Sequence, residues 1–220
     1  MKPDFTVINP KKTAILVIDI QKDFVSPEGY ATKTWGHDNS HLDKIVEKIK
    51  KFLEQAQRHE VEILYTQTIY DPEKVSKAMS KKLGSALGEY VAPNSEGIQF
   101  YKLNPPEDKI FIKYAISAFT NPNLCRYLKQ KQIENLIILG FNSNICVEGT
   151  ARAAVDHGFH TTLVEDLIGT TGFWKNHETE LLATFGLILG YVTNSEEILR
   201  FWEFLKSWGP KEDITKEPLE

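Results

Sequence analysis

The chain is poor in cysteine, with two in 220 residues. Cys125 and Cys146 cannot form the disulfide framework that staples small secreted domains, and both are expected as free thiols in a reducing cytoplasm. Positive charge is not in excess: 26 lysines and arginines stand against 30 aspartates and glutamates, a net of −4. That balance argues against a nucleic-acid or anionic-membrane partner. Long apolar runs are missing too. The longest near the start, Ala14 to Ile18, is far short of the roughly 20 residues that a membrane span needs. The opening Met1-Lys2-Pro3-Asp4-Phe5-Thr6 has no apolar stretch, so no signal peptide is expected and a cytoplasmic location is. There is no Walker loop and no G-x-G-x-x-G, which leaves nucleotide binding through those motifs without support.

What remains is ordinary globular material, 41 % hydrophobic and 25 % charged, which excludes global disorder and collagen-like repeats. A chain of this length buries about 70 % of its unfolded surface and needs no staples. No linker, internal repeat or low-complexity segment divides it. One domain over residues 1–220 is expected, with a core from 10 to 205 and a charged tail over 208–220.

Hydrophobic patterning alternates between two periods. Thr13 to Ile18 is a continuous β-branched and aliphatic run, the mark of a strand buried on both faces. Leu42, Ile45, Val46, Ile49, Phe52, Leu53 and Ala56 then recur at helical spacing behind Asn39 or Ser40 as a cap. Further strands are expected at Val61–Thr66, Lys109–Lys113, Asn135–Gly140, Thr161–Val164 and Leu187–Val192. Helices are expected at Pro122–Gln130, at Val147–His157 (ended by Gly158), at Asn176–Phe185, and from the Asn194 cap to Leu205. Residues 71–105, rich in Pro and Gly, read as a long excursion with a short helix, the wall of a site. Six strands separated by helices predict a parallel sheet covered on both sides, a three-layer α/β/α fold.

In such sheets ligands bind beyond the carboxyl ends of the strands. The first strand delivers Asp19, then Gln21, Asp23 and Phe24; the second Thr66, Gln67, Thr68 and Tyr70; the third Lys113. The fourth delivers Gly140-Phe-Asn142-Ser-Asn-Ile-Cys146 and runs straight into a helix. A thiol at a helix N-terminus has a depressed pKa and more thiolate. Asp19 can then take the thiol proton and return it to a leaving nitrogen, Lys113 can hold the charges, and the backbone N–H groups of Asn142 and Cys146 can form an oxyanion hole. Taken by position alone, Cys146 is equally a small buried hydrophobe, and Lys113 a strand-end surface charge. Phe24, Gln67 and Tyr70 are the candidate substrate-binding residues.

At these residues the sequence resembles the isochorismatase-like cysteine hydrolase superfamily. The motifs are Ala14-Ile-Leu-Val-Ile-Asp19-Ile-Gln-Lys-Asp23-Phe24, Lys113-Tyr-Ala-Ile-Ser117-Ala-Phe119, and Gly140-Phe-Asn-Ser-Asn-Ile-Cys146-Val-Glu-Gly-Thr150-Ala-Arg152-Ala-Ala. The resemblance implies a sheet order of 3-2-1-4-5-6, an Asp19–Lys113–Cys146 triad, and a cis peptide at Phe141–Asn142 that turns the Asn142 N–H toward the oxyanion. It also implies a homodimer or homotetramer whose neighbouring subunit often completes the pocket. Nicotinamidases of this family carry metal ligands after the second strand, whereas here Gln67-Thr-Ile-Tyr-Asp71-Pro72 has no histidine. No metal or other cofactor is therefore expected. The Cys146-Val-Glu-Gly-Thr-Ala-Arg152 run looks most like the branch acting on ureidoacrylate, biuret or N-carbamoyl compounds, so the implied partner is a small amide or ureide. Two other readings stay open: vinyl-ether hydrolysis, which needs the acid but not the thiol, and a ligand-binding protein without turnover. A redox-sensing thiol is weaker, since no second cysteine lies near Cys146 in sequence.

The remaining candidates have plainer explanations. His37 and His41, four apart, would suit zinc on one helix face, but no third ligand is apparent. Lys44, Lys48, Lys50 and Lys51 interleave with Glu47 and Glu54 as a solvated helix face. Cys125 has no evident charged partner and reads as packing. Trp35 is a further pocket candidate and Trp174 a candidate for a subunit interface.

Overall fold

The computed structural model describes residues 8–171 and 177–208. The opening hexapeptide, Trp174, the Asn176 cap and the charged tail beyond Trp208 lie outside the described residues. Strand β1, Thr13–Ile18, is buried along its whole length, and so is β4, Asn135–Phe141. Between and around them run β2 (Glu62–Thr68), β3 (Ile110–Lys113), β5 (His160–Gly169) and β6 (Tyr191–Thr193). All neighbours pair in parallel, in the expected order β3-β2-β1-β4-β5-β6. β1 thus sits beside both β2 and β4, so its carboxyl end meets two other strand ends.

Period-two alternation splits the core into layers. Ile15 and Val17 of β1 face one layer, with Leu42, Val46, Ile49, Phe52 and Leu53 of α3 (Ser40–Arg58) and with Ile198 and Trp202 of α8 (Ser195–Trp208). Ala14, Leu16 and Ile18 face the other, with Leu124 and Leu128 of α5 (Pro122–Gln130) and Ala151 and Ala154 of α6 (Glu148–Asp156). The short helices α1 (Lys22–Val25) and α2 (Tyr30–Trp35) follow β1, and α4 (Lys77–Leu83) stands in the excursion; α7 is His177–Thr184. Asn194 caps α8 as expected, its Oδ1 accepting from the Glu197 N–H at 2.9 Å. No helix among the described residues is long and apolar enough to cross a membrane.

Three expectations need correction. The sixth strand is not Leu187–Val192. Phe185–Leu189 form a π-helical turn closed by the Gly190 N–H donating to the Phe185 carbonyl at 3.0 Å, and β6 begins only at Tyr191. Phe185 is buried while Leu187 and Ile188 are 76 % and 73 % exposed. A short apolar run satisfies strand and helix patterns alike, and here the turn wins. The fifth strand does not stop at Val164 but continues past a register shift to Gly169. The helix expected from Val147 starts at Glu148, behind a second π-helical turn over Ser143–Val147.

Candidate active site

Asp19 leaves β1 with φ +47° and no exposed surface. A bare buried carboxylate is costly, so its partners matter. Thr66 and Thr68 alternate on one face of β2. The Thr66 hydroxyl donates to Asp19 Oδ1 at 2.6 Å and that of Thr68 to Oδ2 at 2.9 Å. Lys113, at the end of β3 and paired in register with Thr68, sends its ammonium to Asp19 Oδ2 at 2.8 Å. The same ammonium donates to Thr68 Oγ1 at 2.6 Å, to the Ala115 carbonyl at 3.0 Å and to Cys146 Sγ at 3.4 Å. Lys113 is therefore no surface charge. Burial works against its ammonium, but the Asp19 and Cys146 charges and their hydrogen bonds outweigh it and raise its pKa.

Cys146 sits inside the Ser143–Val147 π-helical turn that leads into α6, and it is 3 % exposed. The expected lowering of its thiol pKa is corrected by that burial. Burial pushes its thiol up to about 12, the Lys113 ammonium pulling against that and the Asp19 carboxylate adding to it. At neutral pH the resting site holds a thiol beside an ion pair. The Phe141–Asn142 peptide is cis. Gly140, at φ +116°, has no room for a side chain, because a Cβ there would lie 2.2 Å from the Ile18 carbonyl oxygen. That close approach of β4 to β1 sets the Asn142–Cys146 turn beside Asp19.

The candidate substrate residues divide. Phe24 and Tyr70 are buried and join one aromatic cluster around Tyr90, with ring centroids 5.2 and 5.7 Å from it. Trp35 joins as well, at 4.6 Å. Gln67 does not join: strand alternation puts it on the opposite face of β2 from Thr66 and Thr68, and its amide donates to the Ile98 carbonyl at 2.9 Å. His37 and His41 share no helix face, since α3 begins at Ser40 and His41 is hydrogen-bonded to the Thr170 carbonyl at 2.8 Å. Among the described residues no group of three His, Cys, Asp or Glu is placed to hold a metal ion. Cys125, half-buried, has a neighbour the sequence did not suggest, His157 Nδ1 at 3.9 Å.

The family model for the isochorismatase domain matches residues 13–197. The chain belongs to the isochorismatase family. Among curated isochorismatase relatives, the ureidoacrylate amidohydrolase RutB of Caulobacter segnis is 29 % identical over 188 residues, covering 78 % of this chain and 78 % of its own length. An uncharacterized isochorismatase family protein of Bacillus subtilis, YddQ, is 27 % identical over 161 residues, covering 72 % of this chain and 78 % of its own. The solved cysteine hydrolase of Pseudomonas syringae pv. phaseolicola superposes with a TM-score of 0.78 at 26 % identity, over 90 % of this chain and 95 % of that one.

The sequence places Gln21, Thr66 and Thr68 at the strand ends without giving them a role, and it does not single out Tyr90. Thr66 and Thr68 orient Asp19, and a threonine in a strand ordinarily reports β propensity alone. Gln21 ties the ends of β1 and β2 together, its Oε1 accepting from the Thr68 N–H at 2.7 Å and its Nε2 donating to the Thr68 carbonyl at 2.9 Å. Tyr90 lies in the irregular excursion, where no periodicity marks it. The alternating Thr66-Gln67-Thr68 at a strand end was the one local signal available.

Proposed function

We propose that the protein is a cysteine-dependent hydrolase that opens the carbon–nitrogen bond of a small amide or ureide, of the ureidoacrylate, biuret or N-carbamoyl type, through a thioester. The observation that carries this reading is one buried ammonium, Lys113, touching both the Asp19 carboxylate at 2.8 Å and the Cys146 sulfur at 3.4 Å. The names of relatives such as RutB support hydrolysis of carbon–nitrogen bonds.

Cys146 Sγ attacks the substrate carbonyl while its proton passes to Asp19. Moving the proton in the same step avoids a free thiolate, which burial disfavours. Charge that develops on the carbonyl oxygen meets the N–H groups of Asn142 and Cys146. Asp19 then gives its proton to the leaving nitrogen, the C–N bond breaks, and an acyl thioester and a free amine or ammonia remain. Asp19, again a carboxylate, takes a proton from water. The hydroxide adds to the thioester, the C–S bond breaks, and the proton on Asp19 returns to sulfur. Lys113 holds a positive charge beside Asp19 and Cys146 throughout, while Thr66 and Thr68 keep the carboxylate from turning.

The test is ammonia release by wild type and Cys146→Ala on ureidoacrylate, biuret, N-carbamoyl amino acids, maleamate and nicotinamide. Turnover of at least one compound is expected, with a loss of about 10⁴-fold or more in the variant. Isochorismate turnover that survives Cys146→Ala would replace this reading with ether hydrolysis. The dimer or tetramer implied by the family resemblance is checked by sedimentation of the full chain.

A further inference from the structure

Three polar residues in a row, Asn142-Ser143-Asn144, lead from β4 into the turn that carries Cys146. The second and third fasten that turn to its surroundings. The Ser143 hydroxyl, fully buried, donates to Glu178 Oε1 on α7 at 3.1 Å. Asn144 Oδ1 accepts from the Thr170 hydroxyl at 2.8 Å, and the Thr170 carbonyl is held in turn by His41 Nε2 at 2.8 Å. The backbone closes the rest: the Asn142 carbonyl accepts from the Ile145 and Val147 N–H groups, both at 3.1 Å.

The Asn142 side chain takes no part in this. The residue is 6 % exposed, and its Oδ1 is buried with no hydrogen-bond partner. The neighbouring polar side chains satisfy one another. Thr66, Thr68 and Lys113 hold Asp19, and Lys113 also reaches Thr68 and Cys146. A buried acceptor without a donor is costly, and each such atom calls for an explanation. Fastening the turn is not that explanation, since the Asn142 carbonyl and the next two side chains already do it. A second unmatched atom lies close by along the sheet edge. Phe141 pairs with Gly169, and Thr171, two residues on, is 2 % exposed with its hydroxyl unpartnered. A hydroxyl turns to donate or to accept, whereas an amide oxygen accepts only. Asn142 Oδ1 is therefore the atom of the two that can discriminate between ligands.

The chemistry it would recognise follows from its place. An amide with an N–H carries an acceptor oxygen and a donor nitrogen on one carbon. Asn142 carries the complement on one residue, a backbone N–H for the oxygen and Oδ1 for the nitrogen. An ester or an enol ether puts an oxygen lone pair where the amide has its N–H. Oδ1 would then stay unmatched and face a second acceptor.

We propose that Asn142 is a specificity-determining residue, its side-chain oxygen accepting from the N–H of the amide under attack and so favouring amides and ureides over the corresponding esters. The inference rests on the thiol-hydrolase reading and deepens it by naming the group that distinguishes a C–N from a C–O bond.

The experiment uses pairs that share an acyl group: maleamate and monomethyl maleate, nicotinamide and methyl nicotinate, biuret and methyl allophanate. Ammonia release is followed for the amides and methanol release for the esters, with p-nitrophenyl acetate as the reference ester where a methyl ester is not turned over. The enzymes are wild type, Cys146→Ala, Asn142→Leu, which keeps the shape and removes the acceptor, and Asn142→Ala, which crowds nothing. Both Asn142 variants should lose about tenfold more kcat/KM on the amide than on its ester, the worth of one hydrogen bond. Equal losses on amide and ester, no loss on either, or a greater loss on the esters overturns the role of Asn142 and leaves the thiol hydrolase standing. Neither ammonia nor methanol from wild type, or release that survives Cys146→Ala, overturns the thiol-hydrolase reading and this inference with it.

Discussion

Asp19 has no freedom to turn. Two threonine hydroxyls and an ammonium hold its oxygens within 2.9 Å, and the whole group is out of water. Its charge also acts on Cys146, and the sign is definite. The carboxylate raises the thiol pKa and the Lys113 ammonium lowers it. Asp19→Asn removes the raising charge and leaves the ammonium unbalanced, so the thiol should titrate below its present value of about 12. Alkylation of Cys146 by iodoacetamide at pH 8 should then speed up by about tenfold or more, one pKa unit being a factor of ten in thiolate. Ammonia release should fall by about 10³-fold in the same variant, since the proton carrier is gone. Peptide mapping separates Cys146 from Cys125, and an unchanged alkylation rate would contradict the assigned electrostatics. At this scale the sequence was legible where a residue type breaks a pattern. Asp19 ends an apolar strand and Cys146 follows a turn of small polar residues. It was not legible where the environment decides, because the burial that sets the thiol's titration comes from neighbours distant in the chain.

The elements were easiest to read where the pattern was long. α3 runs for 19 residues with six of its apolar side chains buried, as its spacing demands. The order of the parallel strands follows from the family motifs and agrees with the structure. Short apolar runs were harder. Leu187-Ile188-Leu189 carries the composition of a strand yet lies in a π-helical turn, because Gly190 must pass close to β5, where a Cβ would fall 2.3 Å from the Thr161 carbonyl oxygen. This assignment is testable by stability. Leu187→Ser and Ile188→Ser should each cost under about 0.5 kcal/mol in urea unfolding, as surface changes do. Side chains of a buried strand would instead lose about 2–5 kcal/mol on truncation.

Across the whole molecule, the candidate triad and the aromatic cluster come from different parts. Asp19, Lys113 and Cys146 lie at or just beyond strands fixed by register, whereas Tyr70, Tyr90 and Trp35 come from the irregular segments around α2 and the excursion. The first set was visible in sequence because sheet topology is repetitive. Phe24, Tyr70 and Trp35 were also readable as pocket aromatics, whereas Tyr90, in the excursion, was not, because loops carry no period. Far from the site, Trp202 closes the structure. It has no exposed surface, stacks with Phe52 at 6.0 Å and donates its indole N–H to the Ile8 carbonyl at 2.8 Å. Trp202→Ala should cost about 3–5 kcal/mol, measured by chemical denaturation, and should leave the Cys146 alkylation profile of the folded fraction in place. The deep seat of Cys146 also bears on how the protein ages. Peroxide oxidises thiolates that it can reach, and climbing to sulfinic acid is largely irreversible. A thiol that burial keeps protonated and 3 % exposed offers oxidants little to attack. Under mild hydrogen peroxide, Cys125 should therefore become sulfenic acid before Cys146 does, as read by mass spectrometry after dimedone trapping, and turnover should outlast the first oxidised thiol.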